Sequence, residues 1–326
     1  MNLSQSPVLS IQNLHTHFHA REGLVKALNG VDLSLKTDTV LGLVGETGSG
    51  KSVLALSILR LIPYPGEITE GSVFFEGRNL MRLTEDEMLT IRGHDVAMIF
   101  QDARGSLNPI ERIGDQISEA FRAHSMMSIN QAVDRTVDLL KELDLPTTIF
   151  NQYPHQISGG MAQRSMIAMA MAWKPRLLIA DEPTSNLDMT VQADVLVRLQ
   201  GLISENHSSL ILISHNMGII AQMADEVAVM YAGSVVEHTT TSEIFERPLH
   251  PYSWALLQSI PRLDKPLEPL KPIRGSSPSP IDLPDHCAFI SRCPKATNYC
   301  RLSPRPPLEE KTPGHFVACY NEIEYS

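Results

Sequence analysis

Eight consecutive residues, Gly45, Glu46, Thr47, Gly48, Ser49, Gly50, Lys51 and Ser52, have the G-x-x-x-x-G-K-[ST] spacing of a phosphate-binding loop. Glycines let successive backbone N–H groups turn inward around phosphate oxygens, and the N-terminus of a following helix adds partial positive charge. Lys51 would then reach the β- and γ-phosphates of a nucleotide, and the Ser52 hydroxyl would ligate Mg²⁺. A second feature supplies carboxylates, because the apolar run 177–180 (LLIA) delivers Asp181 and Glu182 to its polar end. Asp181 suits a hard, strongly hydrated cation such as Mg²⁺, and Glu182 is placed to activate water as a general base. In isolation an Asp-Glu pair reads more simply as a solvated turn. Beside a phosphate-binding loop the pair points instead to hydrolysis of a nucleoside triphosphate.

Such a site needs a rigid frame, and the chain supplies one. Short apolar runs at 40–44, 96–100, 177–180, 210–214 and 227–231 alternate with helical patterns, the signal of a parallel α/β sheet. The loop follows the first run and precedes a helical stretch, 53–62, that Pro63 ends. Thr84 with Glu87 and Ser128 with Gln131 form capping-box patterns, and Val191, Val195, Leu199 and Leu202 repeat at helical spacing. Residues 103–157 hold no convincing buried strand and read as a mainly helical insertion. Beyond about residue 247 the character changes: 14 of the 22 prolines fall in the last 80 residues, which excludes most helices and central strands there. The expected division is an ATPase domain at 1–246 and a loop-rich extension at 247–326, without an internal repeat.

Composition narrows the partners. The formal net charge of −10 repels a nucleic-acid backbone, so no nucleic acid is expected. No apolar run approaches the roughly 18 to 20 residues that span a bilayer, and residues 1–18 lack a secretory-signal pattern. The expected location is cytoplasmic, with any membrane association made through a partner.

Further segments resemble the ATPases of ABC transporters. Residues 157–164 (ISGGMAQR) are similar to the LSGGQ-type signature, in which Ser158, Gly159 and Gly160 open a helix toward the γ-phosphate of ATP bound to an opposite subunit. Gln101 matches the glutamine that contacts Mg²⁺ and water in that family. Asp188, in 185–188 (SNLD), matches its D-loop, and His215 its switch histidine. Phe18 aligns with the aromatic residue that stacks on adenine, although a plain core phenylalanine fits equally well. Asn186 and Asn216 depart from the usual small residue and Asp. Met161, Met166, Met169 and Met171 read as packing residues rather than ligands.

Residues 98–102 (MIFQD), 106–109 (SLNP), 231–233 (YAG), 250–252 (HPY), 259–262 (SIPR) and the Cys-rich tail resemble, more narrowly, the ATPase subunits of bacterial dipeptide, oligopeptide and nickel importers. That resemblance implies ATP hydrolysis that powers peptide import at the cytoplasmic face of the inner membrane. It also implies a second related ATPase subunit, two integral membrane permeases and an extracytoplasmic binding protein reached through them. A nickel or antimicrobial-peptide importer and a soluble ABC ATPase are the alternatives.

All four cysteines, Cys287, Cys293, Cys300 and Cys319, lie in the last 40 residues, spaced C-x₅-C-x₆-C-x₁₈-C. A reducing cytosol disfavours disulfides. Four thiolates suit one [4Fe–4S] cluster, the reading that the importer resemblance favours; zinc and unligated thiols remain the alternatives, though zinc sites commonly use tighter C-x₂₋₄-C pairs.

Overall fold

The computed structural model describes residues 7–259, 272–281 and 283–325. Its first strands are β1 (Leu9–Ala20), β2 (Gly23–Leu35), β3 (Val40–Val44), β4 (Gly66–Phe75), β5 (Arg78–Asn79) and β6 (Val96–Ile99). The later ones are β7 (Leu177–Asp181), β8 (Ser209–Ile213), β9 (Glu226–Tyr231), β10 (Ser234–Thr240), β11 (Glu309–Thr312) and β12 (His315–Val317). The helices used below are α1 (Lys51–Ile58), α2 (Glu85–Ile91), α3 (Ala103–Ser106), α4 (Ile113–Arg122), α5 (Ile129–Glu142), α6 (Gly159–Met171), α7 (Met189–Asn206) and α8 (Met217–Met223). The five expected strands recur as β3, β6, β7, β8 and β9 within one residue at each end. Two compact units emerge. One holds Lys36–Thr39 and Arg82–Ile213; the other holds Leu9–Leu35, Val40–Met81 and the chain from Ser214 onward.

In the first unit β6, β7 and β8 run parallel, with Val96 opposite Leu177 and Asp181 opposite Ile213. Every residue of β7 and β8 is buried, as expected of strands covered on both faces, which read as continuous apolar runs. Residues 103–157 form α3, α4, α5 and two 3₁₀ turns, Thr147–Asn151 and Pro154–Gln156. Both capping boxes are present, Thr84 with Glu87 opening α2 and Ser128 with Gln131 opening α5. Met166 and Met171 are buried on α6.

The second unit carries an antiparallel sheet in the order β2-β1-β4-β5, which no alternation in the sequence had announced. Its strands β1 and β2 shift register at three points, so the apolar period of two is broken where a pattern search would look for it. Beside it β3 pairs parallel with β9, while β10 pairs antiparallel with β9 and β12. Helix α1 stops at Ile58, short of the expected residue 62, because Arg60 takes a left-handed φ of 54° that turns the chain before Pro63 is reached. The C-terminal segment folds back onto this unit, with β12 hydrogen-bonded to β10 and β11 to β12. Its anchor is Glu237, fully buried, which accepts from the Leu249 and His250 N–H groups at 2.6 and 2.9 Å and pairs with His315 Nε2 at 2.7 Å. A buried carboxylate is tolerable only when its oxygens are satisfied in this way.

Candidate functional site

The phosphate-binding loop lies between β3 and α1 in the second unit, and its shape explains its glycines. Gly45 has φ +152°, and a Cβ there would stand 2.2 Å from the Met230 carbonyl oxygen. Gly50 has φ +104°, and its Cβ would stand 2.7 Å from the Ala27 carbonyl oxygen. Any side chain at either position must displace backbone. Gly50 also caps α1 without a side-chain hydrogen bond, so the first-turn N–H groups of α1 compete with no capping oxygen. Lys51 is buried, and its Nζ donates to the carbonyl oxygens of Gly45 at 2.8 Å and Glu46 at 3.0 Å, and to Ser49 Oγ at 3.3 Å. The ammonium is thereby held over the loop it would serve. Ser52 sits in the first turn of α1.

His215 is exposed in the same unit, immediately ahead of α8. The departure at Asn216 has a structural account, because its Oδ1 accepts from the Gly218 N–H at 2.9 Å and caps α8, a task Asn performs as well as Asp. Phe18 is half-buried on β1, where its ring edge lies against Gly66; a Cβ at Gly66 would meet Phe18 Cε1 at 2.5 Å. This packing accounts for Phe18 without any ligand.

In the first unit, Asp181 is buried at the end of β7. Glu182 follows with φ +47°, a left-handed backbone that a residue with a Cβ adopts at a cost of roughly 1–2 kcal/mol. Its N–H donates to the Ile213 carbonyl oxygen at 3.0 Å, and its carboxylate accepts from Gln101 Nε2 at 2.9 Å. Residues 81 positions apart in sequence are therefore joined at the Glu182 carboxylate.

Ser158 caps α6, its Oγ accepting from the Met161 N–H at 3.2 Å. Gly159 faces nearly open space, whereas a Cβ on Gly160 would strike Val191 Cγ1 of α7 at 2.6 Å. Asp188 caps α7, accepting from the Thr190 and Val191 N–H groups at 3.1 and 3.0 Å. Asn186 is exposed.

Several contacts around the loop had no sequence signal. The Glu46 carboxylate is gripped by both terminal nitrogens of Arg292, at 2.7 and 2.8 Å, and accepts from Ser277 Oγ at 2.6 Å. The Glu46 N–H donates to Tyr252 Oη at 2.8 Å. The Arg292 guanidinium holds the Glu46 carboxyl below the usual carboxylate range, and Glu46 in turn raises Arg292. Only the proximity of one loop to a segment about 230 residues later creates these contacts.

All four cysteines line one pocket, together with Phe289, Ile290, Pro306 and Tyr320. Burial pushes the Cys287 and Cys293 thiols up, and Cys319 up to about 12. The Asn321 N–H donates to Cys319 Sγ at 3.3 Å. Among the described residues no three His, Cys, Asp or Glu side chains stand together as ligands of a single metal ion. The expected motif 259–262 lies outside the described residues beyond Ser259.

Comparison with known proteins agrees with this geometry. Residues 28–185 match the ABC transporter family, and residues 236–300 match the oligopeptide/dipeptide transporter C-terminal region. The oligopeptide transport ATP-binding protein AppD of Bacillus subtilis is 42% identical over 97% of each chain. The oligopeptide transport ATP-binding protein OppD of Escherichia coli is 42% identical over 97% of this chain and 94% of its own. The dipeptide transport ATP-binding protein DppD of Bacillus subtilis is 43% identical over 96% of this chain and 94% of its own. A solved dimer of the ATP-binding cassette MJ0796 with ADP and phosphate superposes with a TM-score of 0.66 at 25% identity, covering 72% of this chain and 98% of that one. The chain therefore belongs to the ABC transporter ATPases, in the branch of oligopeptide/dipeptide transport ATP-binding proteins.

Proposed function

We propose that the protein is the ATP-hydrolysing subunit of a di- or oligopeptide importer and works beneath two integral membrane permeases, fed by an extracytoplasmic binding protein. The near-full-length identity to peptide transport ATPases, tail included, carries this reading. Among the described residues no helix is long and apolar enough to cross a membrane, so attachment through permease partners at the cytoplasmic face of the membrane fits the chain.

ATP binds the Gly45–Ser52 loop through backbone N–H groups at the start of α1 and through Lys51, while Phe18, packed on Gly66, holds the position of the family's adenine-stacking aromatic residue. Ser52, Asp181 and Gln101 supply the oxygens that would hold Mg²⁺, directly or through water. Glu182, oriented by Gln101, takes a proton from the attacking water, and His215 donates toward the γ-phosphate. Ser158, Gly159 and Gly160 present the N-terminus of α6 to the nucleotide of a second, related ATPase subunit, and Asp188 follows at that boundary. Cargo need not touch this chain. Reconstitution with its permeases tests the assignment: ATP turnover stimulated by a peptide-loaded binding protein is the expected result, and stimulation by a nickel-loaded one alone would redirect the cargo.

The four cysteines are the ligand set of a [4Fe–4S] cluster in this reading. Their convergence on one apolar pocket supports it. The cluster would cross-link the tail and need take no part in hydrolysis. Anaerobic purification should yield a brown protein with about four irons per chain; a colourless one with stoichiometric zinc would replace the cluster by zinc.

A further inference from the structure

Arg292 stands out among the residues that hydrolysis does not require. Only 4% of its side chain is exposed, yet it carries a full charge. Every nitrogen of its guanidinium is committed. Nε donates to the Arg274 carbonyl oxygen at 2.9 Å, one terminal nitrogen to Glu46, Tyr231 Oη and Ser277 Oγ, and the other to Glu46. The Tyr231 and Phe289 rings flank it, each centroid 5.8 Å from Cζ. A bidentate pair fixes the direction of a carboxylate as well as its distance.

Its target is the second residue of the phosphate-binding loop, and Glu46 is fixed at three points. The side chain is held by Arg292 and Ser277, the N–H by Tyr252, and the carbonyl oxygen by Lys51 at 3.0 Å. Those contacts orient the peptide planes on both sides of Glu46, and a phosphate-binding loop acts through the orientation of such planes. The Glu46 carbonyl oxygen also accepts from the Ser49 N–H at 3.1 Å, and three of the five partners, Arg292, Ser277 and Tyr252, come from the C-terminal part of the chain. Arg292 also immediately precedes Cys293, within the stretch that the cysteines bracket.

We propose that Arg292 is a positioning residue for nucleotide binding: gripping Glu46, it holds the phosphate-binding loop in its binding shape, so that the C-terminal tail sets this subunit's affinity for ATP. The clamp requires nothing bound to the cysteines. It rests on the nucleotide reading of Gly45–Ser52, which the unaltered chain tests by itself.

If the loop keeps its binding shape in only a fraction of molecules once the clamp is cut, the apparent Kd rises by the inverse of that fraction. The test measures the Kd of a fluorescent ATP analogue on the full chain, and KM and kcat in the assembled transporter. Arg292→Ala should raise Kd and KM about tenfold while kcat at saturating ATP stays within about twofold. Arg292→Lys, which keeps the charge without the fork, should recover part of the loss. Glu46→Gln should weaken binding in the same sense, and the double variant with Arg292→Ala should be no worse than the poorer single one. Should Arg292→Ala fail to fold, Tyr252→Phe removes only the hydroxyl that receives the Glu46 N–H, and a severalfold rise in Kd is expected there. Wild-type Kd in a folded Arg292→Ala or Tyr252→Phe chain overturns the clamp, as does a fall in kcat at unchanged KM. Failure of the unaltered chain to bind the analogue would instead count against the loop's assignment.

Discussion

Glu182 joins a buried strand behind it, a left-handed backbone and an amide donor from Gln101 on its carboxylate. These fix where its oxygens point, which matters for a base that must meet one particular water. Glu182→Gln keeps Lys51, Ser52 and Asp181, so ATP and Mg²⁺ binding should persist while turnover falls by about 10²–10⁴. Single-turnover hydrolysis with the partner site disabled measures this, and near-normal turnover would remove Glu182 from the role. Glu46 differs in kind, since its charge serves attachment. Its folded carboxyl lies below the usual 4.5, so the stability it lends is present above that pH and fades as pH falls through the depressed value. The charged groups acting on it are Arg292 and Lys51. The melting temperature of the wild type minus that of Glu46→Gln should accordingly be largest above pH 4.5 and shrink in stronger acid; a difference independent of pH would show that the carboxylate's charge contributes nothing.

At the scale of elements, two helix N-termini belong to the proposed site. Helix α1 serves the chain's own phosphate loop, and α6 opens with two glycines whose surroundings differ. An Asp at Gly160 would collide with Val191 inside its own subunit, so its effects would mix misfolding with loss of partner contact. Gly159 meets nothing nearer than Leu187 Cδ2 at 3.8 Å and is the cleaner probe. Gly159→Asp places a negative charge at the α6 terminus, so it should abolish ATP-driven pairing of subunits, read by light scattering, and leave nucleotide binding by the monomer near wild type. Loss of that binding with an intact fold would refute action across a subunit boundary. Asp188, as the cap of α7, has a structural duty as well: Asp188→Ala should destabilise the chain by about 1 kcal/mol, apart from any effect on turnover.

For the molecule as a whole, the tail is integrated through several attachments, among them the β12 pairing with β10, the buried Glu237 with His315, Arg305 on the Asn29 carbonyl oxygen, and Arg292 on Glu46. Changing any one of Cys287, Cys293, Cys300 or Cys319 to Ser should bleach the proposed cluster and expose the Pro-rich tail to protease, while β12 stays paired. Iron analysis and limited proteolysis together check this. Unchanged digestion of a bleached variant would mean that the attachments alone hold the tail. Stoichiometric partners recovered from detergent-solubilised membranes should comprise a second ATPase and two permeases.

The sequence by itself determined the chemistry and its local carriers, because phosphate binding, helix capping and buried parallel strands are written in contiguous residues: Gly45 to Ser52, Ser128 with Gln131, and the run ending at Asp181. It also announced the four cysteines as a set. The tertiary structure alone decided what depends on distant segments meeting. The antiparallel β1–β2 sheet escaped because its register shifts erase the period of two. The Gln101 contact with Glu182 spans 81 residues, and the Arg292 grip on Glu46 spans 246. An arginine amid prolines and a glutamate inside a glycine-rich loop have no periodicity to betray them. Their meaning arises only when folding brings the two charges together and leaves each as the other's partner.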